Sequence, residues 1–343
     1  MIRSYNSNKN FLDRIHSKID KSTYNNIVPK VLKNVKYNTK YFHSGYSIKK
    51  LRNFNTKKKN AIIIGAGPSL RRNDQLKIIK KNSHKYILIA CDGSLFYLLS
   101  NKIVPDLVVT FDPHPTRIIR WFGDKNLTKN KLKKDDYFAR QDLETKFNSQ
   151  LKSNKKIIKL FDHYANKLNI ALCTSSSKAV VDRLINSKTN IYWWNAFLDD
   201  PNKKNSVTKK IFKTNGFPII NTGGNVGAAC WMLADSLFNC RKIALIGMDF
   251  SYYMDTPIKS TQYYDVLKKI SNKEDLKFFY SKIYNPQMKK YYYSDHVYIW
   301  YKKCLLEMVK NASSDTTNCT GGGILFGPKI KWGSLLDFCK KNI

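Results

Sequence analysis

Short apolar runs rich in β-branched residues alternate with helical patterns from residue 59 onward. The runs cover residues 60–64, 86–90, 106–110, 156–160, 218–221 and 242–246, and helical patterns at 93–101, 178–186 and 224–238 separate several of them. Because parallel strands need long crossover connections, this alternation predicts a doubly wound, Rossmann-like parallel α/β sheet. Ligand-binding groups are then expected beyond the carboxyl ends of the strands.

Charge and composition divide the chain into regions. Residues 1–58 carry fourteen Lys or Arg and two Asp, which predicts a basic N-terminal extension ahead of one α/β domain at 59–343. Within that domain, the Lys-, Asp- and Asn-rich stretch near 124–155 is interpreted as an insertion. The Tyr- and Lys-rich stretch near 251–295 is interpreted as a lid.

The net charge of +36 has two explanations that the sequence leaves open. It indicates either a polyanionic partner, such as an anionic membrane surface, or a composition shaped by AT-rich coding. The scarcity of glutamate, with only Glu144, Glu274 and Glu307, is the observation behind the second explanation, and neither explanation is preferred. Nucleic acid is not expected as a partner, because the chain has no zinc-finger, RNP or helix-turn-helix signature.

The sequence also bears on location and cofactors. No apolar run approaches the roughly 18–20 residues that cross a bilayer, and the N-terminus has no apolar signal-peptide core. We therefore expect a cytoplasmic protein. Its positive charge also allows peripheral binding to the inner face of the membrane. The seven cysteines include no CxxC pair, so neither a zinc site nor a disulfide framework is expected, nor a tightly bound cofactor.

Two glycine turns follow predicted strands. Gly65-Ala66-Gly67 ends the first apolar run, and a turn of this kind presents backbone N–H groups to a phosphate. Leu70 stands where a dinucleotide fingerprint needs a third glycine, which disfavours a standard NAD enzyme. The second turn, residues 222–225, precedes a helix and is a second candidate phosphate or nucleotide cradle.

Carboxylates stand at the ends of three predicted strands. Asp92, followed by Gly93, ends the second strand, Asp112 ends the third, and Asp249 ends the strand at 242–246. Asp is also common after strands because it caps helices and turns. The combination with a glycine turn favours a ligand site.

Histidines and arginines supply the remaining candidates. His296 begins a predicted helix and is the preferred candidate for a catalytic base. His163 is a candidate because it follows the predicted strand 156–160, but it is the weaker of the two. His114, held between two prolines, is expected to contact the ligand. Arg117 and Arg120 are three residues apart and are expected to face a phosphate or a sugar carboxylate, unless they are solvated surface charges.

The motifs GAGPSL, CDGSLFYLL, PDLVVTFD and IALIGMDF, in this order, resemble the MptE-like family. That family includes the archaeal 6-hydroxymethyl-7,8-dihydropterin diphosphokinase and the motility accessory factors, which are linked to glycosylation of flagellin with nonulosonic acids. The later segment NCTGGGILFG is more similar to the second group. The order of elements also resembles that of bacterial CMP-dependent sialyltransferases.

The sialyltransferase resemblance implies roles for individual residues. The residues implied to lie beside the nucleotide phosphates are Gly65, Gly67, Pro68 and Ser69, those of the cytidine turn are Thr222, Gly223, Gly224 and Asn225, and His296 lies near the general base. Asp92 and Asp112 fall where that family uses asparagines. Because two carboxylates repel a phosphate, the replacement requires a Lys, an Arg or a metal ion nearby, and it favours Mg²⁺, with Asp112 and Asp92 as its ligands if Mg²⁺ is used.

The resemblance favours a nucleotide-dependent transferase, and within that class a glycosyltransferase that uses a CMP-nonulosonate type of donor. In this hypothesis His296 deprotonates the acceptor, which is a glycan, a lipid-linked sugar or a protein, and Asp112 is the second catalytic residue. The alternative is pyrophosphoryl transfer from ATP, as in the family's diphosphokinase. That activity uses an acidic cluster after the third strand, where this chain has Asp112-Pro113-His114. A non-catalytic nucleotide- or glycan-binding protein is the alternative from another class.

Overall fold

A computed structural model describes residues 27–54, 58–72, 74–134, 147–270, 276 and 279–341. Half of the predicted basic extension (residues 1–26 and 55–57) and the centre of the predicted insertion (residues 135–146) lie outside these residues. None of the described helices combines the length and the apolar character that a membrane span requires.

The strands are β1 (Tyr46–Ser47), β2 (Asn60–Ile64), β3 (Ile87–Cys91), β4 (Leu107–Thr110), β5 (Asn169–Cys173), β6 (Asn190–Ala196), β7 (Ile219–Ile220), β8 (Lys242–Ile246), β9 (Tyr252–Tyr253), β10 (Tyr280–Asn285), β11 (Lys290–Asp295), β12 (Asp315–Asn318) and β13 (Ile330–Trp332). The α-helices are α1 (residues 27–38), α2 (Ser69–Arg72), α3 (Gln75–Asn82), α4 (Leu95–Ser100), α5 (Lys129–Lys134), α6 (Phe147–Tyr164), α7 (Lys178–Asn186), α8 (Val207–Asn215), α9 (Val226–Met232), α10 (Tyr264–Ile270), α11 (His296–Lys310) and α12 (Leu335–Lys341). A π turn, Leu233–Leu237, continues α9, and 3-10 turns cover Thr39–Ser44, Ile48–Asn53, Asp92–Ser94, Ile118–Phe122, Ala165–Lys167 and Ile258–Ser260.

The main sheet has the order β1-β6-β5-β4-β3-β2-β8-β12-β13, with β7 beside β6, and every pairing in it is parallel. The prediction of a doubly wound parallel sheet is therefore confirmed. From β2 the chain adds strands on one side through β3 to β6 and on the other side through β8. The β2–β8 boundary is thus the topological switch point, where sheets of this type hold their ligands.

One predicted strand is wrong. Residues 156–160 lie inside the helix α6. The adjacent isoleucines at 157 and 158 suggested a strand, but over the whole helix the inward side chains recur at Asn154, Ile157, Phe161 and Ala165, which is a helical spacing. His163 therefore lies on a helix and does not follow a strand end.

The N-terminal part of the described chain packs on the sheet. β1 pairs with β6, and Ile48 and Leu51 are buried in the core. The Asn34 amide donates to the carbonyls of Pro113 (3.1 Å) and Ser175 (2.9 Å), and the Asn38 amide donates to Thr174 and Ser176, both at 2.9 Å. These bonds hold α1 at the carboxyl edge of the sheet.

The described part of the predicted lid forms a separate three-stranded antiparallel sheet, in the order β10-β11-β9. It is fastened to the main domain, because the Asn285 amide donates to the Gly323 carbonyl (2.7 Å) and the Ser294 hydroxyl to the Phe250 carbonyl (2.7 Å). Movement of this segment as a lid stays a prediction.

Candidate functional site

A cavity of about 1530 Å³ lies at the carboxyl edge of the main sheet, at the switch point. Residues from the ends of β2, β3, β4 and β8 line it, together with residues of α1, α9 and α11. Of the residues predicted from the sequence, those that line it are Gly65, Gly67, Pro68, Asp92, Gly93, Asp112, Thr222, Gly223, Gly224, Asn225 and Asp249. The parallel topology thus brings together groups that are far apart in the chain.

The first glycine turn packs directly against the loop after β8. The Gly65 N–H donates to the Ile246 carbonyl and the Gly67 N–H to the Gly247 carbonyl, both at 2.8 Å. A Cβ on Gly67 would overlap the Asp249 carboxylate and lie 2.6 Å from the Gly247 oxygen. Glycine is therefore required at 67 because two loops cross there.

The carboxylate of Asp249 caps the short helix α2 that follows this turn. It accepts a 2.7 Å hydrogen bond from the Ser69 hydroxyl and a 3.1 Å bond from the Ser69 N–H, and its exposed fraction is 2%. The prediction that the turn presents free N–H groups to a phosphate is therefore wrong for Gly65, Gly67 and Ser69. Their donors are used inside the protein, and a carboxylate stands where the phosphate was expected.

The second turn is also closed by internal hydrogen bonds. The Gly223 N–H donates to the Asn221 side chain (3.0 Å) and the Gly224 N–H to the Thr222 hydroxyl (3.2 Å). Asn225 caps α9 by accepting from the Ala228 N–H at 2.9 Å. Both glycines have positive φ, +51° and +82°, which explains why glycine occupies both positions. The turn shapes the cavity wall, and its Gly223 and Gly224 donors are already used.

Two carboxylates from neighbouring strands lie on the cavity floor. Asp92 is 5% exposed, and its oxygens accept from the Thr110 hydroxyl and the Gly93 N–H, both at 2.7 Å. Burial raises the pKa of Asp92 to about 7, although the two hydrogen bonds lower it. The negative charge of Asp112 raises the pKa further. Burial also raises the pKa of Asp112, while the His114 N–H and the charges of Arg117 and Lys30 oppose that shift.

The raised pKa of Asp92 predicts a stability that falls with pH. Between pH 3.8 and about 7 the folded protein holds this proton more tightly than the unfolded chain does, so stability is lost as pH rises through this window. The shift corresponds to at most about 4 kcal/mol. Relative to wild type, the Asp92→Asn variant should therefore gain free energy of unfolding from pH 4 to pH 8, measured by urea denaturation. A constant difference across this range would contradict the assigned pKa.

An aromatic wall from α11 faces the carboxylates, and the sequence analysis missed it. Tyr298, Trp300 and Tyr301 line the cavity, and the Tyr301 and Tyr263 hydroxyls are 3.1 Å apart. Burial raises the pKa of Tyr301 to about 12, with the charge of Asp112 among the causes, so Tyr301 keeps its proton. The signal was present in the dense aromatics of YYYSDHVYIWY, where residues 298 and 301 have helical spacing.

His296 and the two arginines occupy other positions. His296 is 4% exposed, packs its ring against Phe279 and is not among the residues that line the cavity. This position does not support its predicted role as the general base. Arg117 and Arg120 flank the cavity-lining Ile118 and Trp121 without lining the cavity themselves, and Arg120 is 3% exposed.

His114 stands beside the floor carboxylate. The backbone N–H of His114 donates to Asp112 Oδ1 at 2.8 Å. The ring Nδ1 of His114 accepts from the Thr116 backbone N–H at 3.3 Å. It does not line the cavity, so the structure places it as a neighbour of Asp112.

The described residues hold no group of three His, Cys, Asp or Glu side chains arranged to bind a metal ion. Both oxygens of Asp92 accept hydrogen bonds from the protein, which leaves Asp112 as the more suitable of the two proposed Mg²⁺ ligands. The two carboxylates therefore do not by themselves make a built metal site.

The fold and the cavity define a doubly wound α/β protein with a large cavity at its switch point. Residues 30–130, from α1 to α5, match the model of the family described as 6-hydroxymethylpterin diphosphokinase MptE-like. No curated protein matches the sequence. Among solved structures, the chain is similar to the MAf glycosyltransferase from Magnetospirillum magneticum AMB-1, with 14% identity and a TM-score of 0.48. That similarity covers 83% of this chain and 36% of the length of the other.

Proposed function

We propose that this protein is a nucleotide-dependent transferase that moves a sugar from a CMP-activated donor to a hydroxyl acceptor. The observation that carries the proposal is the convergence of Asp92, Asp112 and the 222–225 turn on one cavity. Ligand pockets commonly have about 300–1,000 Å³. A volume of about 1530 Å³ leaves room for a nucleotide sugar and part of an acceptor.

Asp112 is the proposed general base, in place of His296. It lines the cavity, and burial raises its pKa towards neutrality, which makes a carboxylate a better base. In the proposed reaction the acceptor oxygen bonds to the anomeric carbon while the bond from that carbon to the phosphate oxygen breaks. The bonding pair leaves with CMP, and the acceptor proton passes to Asp112.

A protonated Asp92 would not repel a phosphate bound near it. With a pKa of about 7, it is protonated in about half of the molecules at neutral pH and in most of them below it. The neutral form of Asp92 removes one repulsive charge. Two neighbouring carboxyl groups with separate roles are a recurrent arrangement in catalysis.

Nucleotide binding tests the proposal. We expect CMP to bind the wild type more weakly as pH rises through about 7, because ionised Asp92 repels the phosphate. The Asp92→Asn variant should lose that dependence and bind CMP at least as tightly as the wild type at pH 8. Isothermal titration calorimetry is done on both proteins. The protonation of the CMP phosphate affects both equally, so the difference between them is the effect of Asp92. Silence towards every cytidine nucleotide would refute the proposal.

The description of the matched family favours a second candidate, pyrophosphoryl transfer from ATP. Titration with Mg²⁺–ATP in parallel with CMP distinguishes the two. Tight Mg²⁺–ATP binding that Asp112→Asn abolishes, with no response to CMP, would support the second candidate. A protein that binds either nucleotide without turning over a donor would belong to the non-catalytic class.

A further inference from the structure

Two basic helices pack side by side next to the cavity. Val31 and Val35 of α1 form one buried cluster with Val207 and Ile211 of α8. Residues 27–54 contain seven Lys or Arg and no acidic residue, and residues 201–217 contain five Lys and no acidic residue. Packing therefore brings two positively charged segments together. Their mutual repulsion is unfavourable unless negative charges balance it.

The lysines lie on the solvent side of both helices. Lys33 and Lys36 are exposed and lie on the side of α1 opposite its valines, as their helical spacing requires, and Lys40 is exposed in the 3-10 turn that follows α1. On α8, the exposed lysines are Lys209, Lys210 and Lys213. We call this surface, made by these six lysines, the α1–α8 face.

Two acidic groups near the α1–α8 face, Asp182 and Asp199, are already engaged. Asp182 accepts hydrogen bonds from the Tyr37 and Tyr41 hydroxyls, both at 3.0 Å, and pairs with Lys178 at 2.8 Å. Asp199 accepts from the N–H groups of Val207 (2.9 Å) and Thr208 (3.0 Å) at the start of α8.

The elements that carry the α1–α8 face also contribute to the cavity. Ile27 and Val31 of α1 line it, as do Phe197 and Leu198 of the loop between β6 and α8. The charge of Lys30 also reaches Asp112 in the cavity lining. A partner bound to this face would therefore contact the outer side of elements whose inner side lines the site.

We propose that the α1–α8 face binds the surface of a bilayer that contains anionic phospholipids. Lysine is a point charge suited to a diffuse field of headgroups, whereas base recognition favours the bidentate arginine that this face lacks. Phe212 of α8 lies among the lysines with 44% of its surface exposed, and an aromatic ring there is suited to insertion between headgroups. This inference rests on charge and position and is independent of the proposed transferase activity.

Vesicle sedimentation with the full chain tests the proposal, with phosphatidylserine-containing and pure phosphatidylcholine vesicles at low and high salt. The variant K33Q/K36Q/K209Q/K213Q should bind phosphatidylserine vesicles on the order of 600-fold more weakly, since each of the four lysines contributes about fivefold near such a surface. The matched control K152Q/K155Q/K156Q/K159Q removes four exposed lysines from α6, which does not line the cavity. It should stay within about fivefold of the wild type.

Three results would overturn the inference. An equal loss in both variants would make the binding a property of net charge alone. If the wild type does not distinguish the two vesicle types, the binding does not depend on anionic lipid. Displacement from vesicles by single-stranded RNA at equal charge concentration would assign the face to nucleic acid instead. Circular dichroism verifies folding, and the pair K209Q/K213Q provides a second variant that leaves α1 unchanged.

Discussion

Asp112→Asn is expected to slow sugar transfer by about 10²–10⁴-fold, the usual contribution of a general base. An amide cannot take up the acceptor proton, but its oxygen can still accept the His114 N–H bond that Asp112 Oδ1 accepts in the wild type. Local structure and CMP binding should therefore persist. The measurements are the rate of CMP release from a CMP-activated nonulosonic acid and the dissociation constant of CMP by titration.

His296→Ala provides the comparison for this result. Because His296 is buried against Phe279 and does not line the cavity, its loss should lower the melting temperature. CMP release by the folded variant should change by less than about tenfold, below the range of a general base. A large loss of rate in His296→Ala together with a normal rate in Asp112→Asn would restore the histidine as the base.

Gly67→Ala is expected to destabilise the protein by about 3 kcal/mol, at the upper end of overpacking effects. The added Cβ meets the carboxylate of Asp249 and the carbonyl of Gly247. Moving the carboxylate would break its hydrogen bond from Ser69, and moving the carbonyl would break its hydrogen bond from the backbone N–H of residue 67. The free energy of unfolding by urea is the measurement.

Gly216→Ala is the matched control. Gly216 ends α8 with a φ of +68°, and nothing lies within 4 Å of the position its Cβ would take. The cost there is the left-handed backbone alone, about 1 kcal/mol. Equal costs at 67 and 216 would show that the crossing of the two loops at Gly67 is loose.

The strands β2, β3, β4 and β8 were predictable because each is a short apolar run that can be recognised without its neighbours, whereas β5 (Asn169–Cys173) and β6 (Asn190–Ala196) of the same sheet were not predicted. The predicted strands at 60–64 and 242–246 and the helix at 178–186 have the observed bounds. β12 and β13 were missed because Asp315–Asn318 and Ile330–Trp332 are short and carry few apolar side chains. Their place in the sheet comes from pairing with β8 and with each other.

The gathering of Asp92, Asp112 and the 222–225 turn was predictable too. Parallel strands all end at one edge of the sheet, so a polar residue after each strand reaches the same cavity whatever its distance along the chain. The aromatic wall was harder to recognise, because helical spacing alone does not say whether Tyr298 and Tyr301 face a core or a ligand.

By itself the sequence determined the parallel α/β class, the edge of the sheet that carries the site and the carboxylates that stand there, because local patterning decides all three. Only the tertiary structure decided which polar groups are still available to a ligand. Ser69 and Asp249 are 180 residues apart, and the bond between them uses donors that a phosphate was expected to take. Hydrogen-bond donors in a turn are satisfied by whatever packs against it, and that neighbour is set by the order of strands across the sheet.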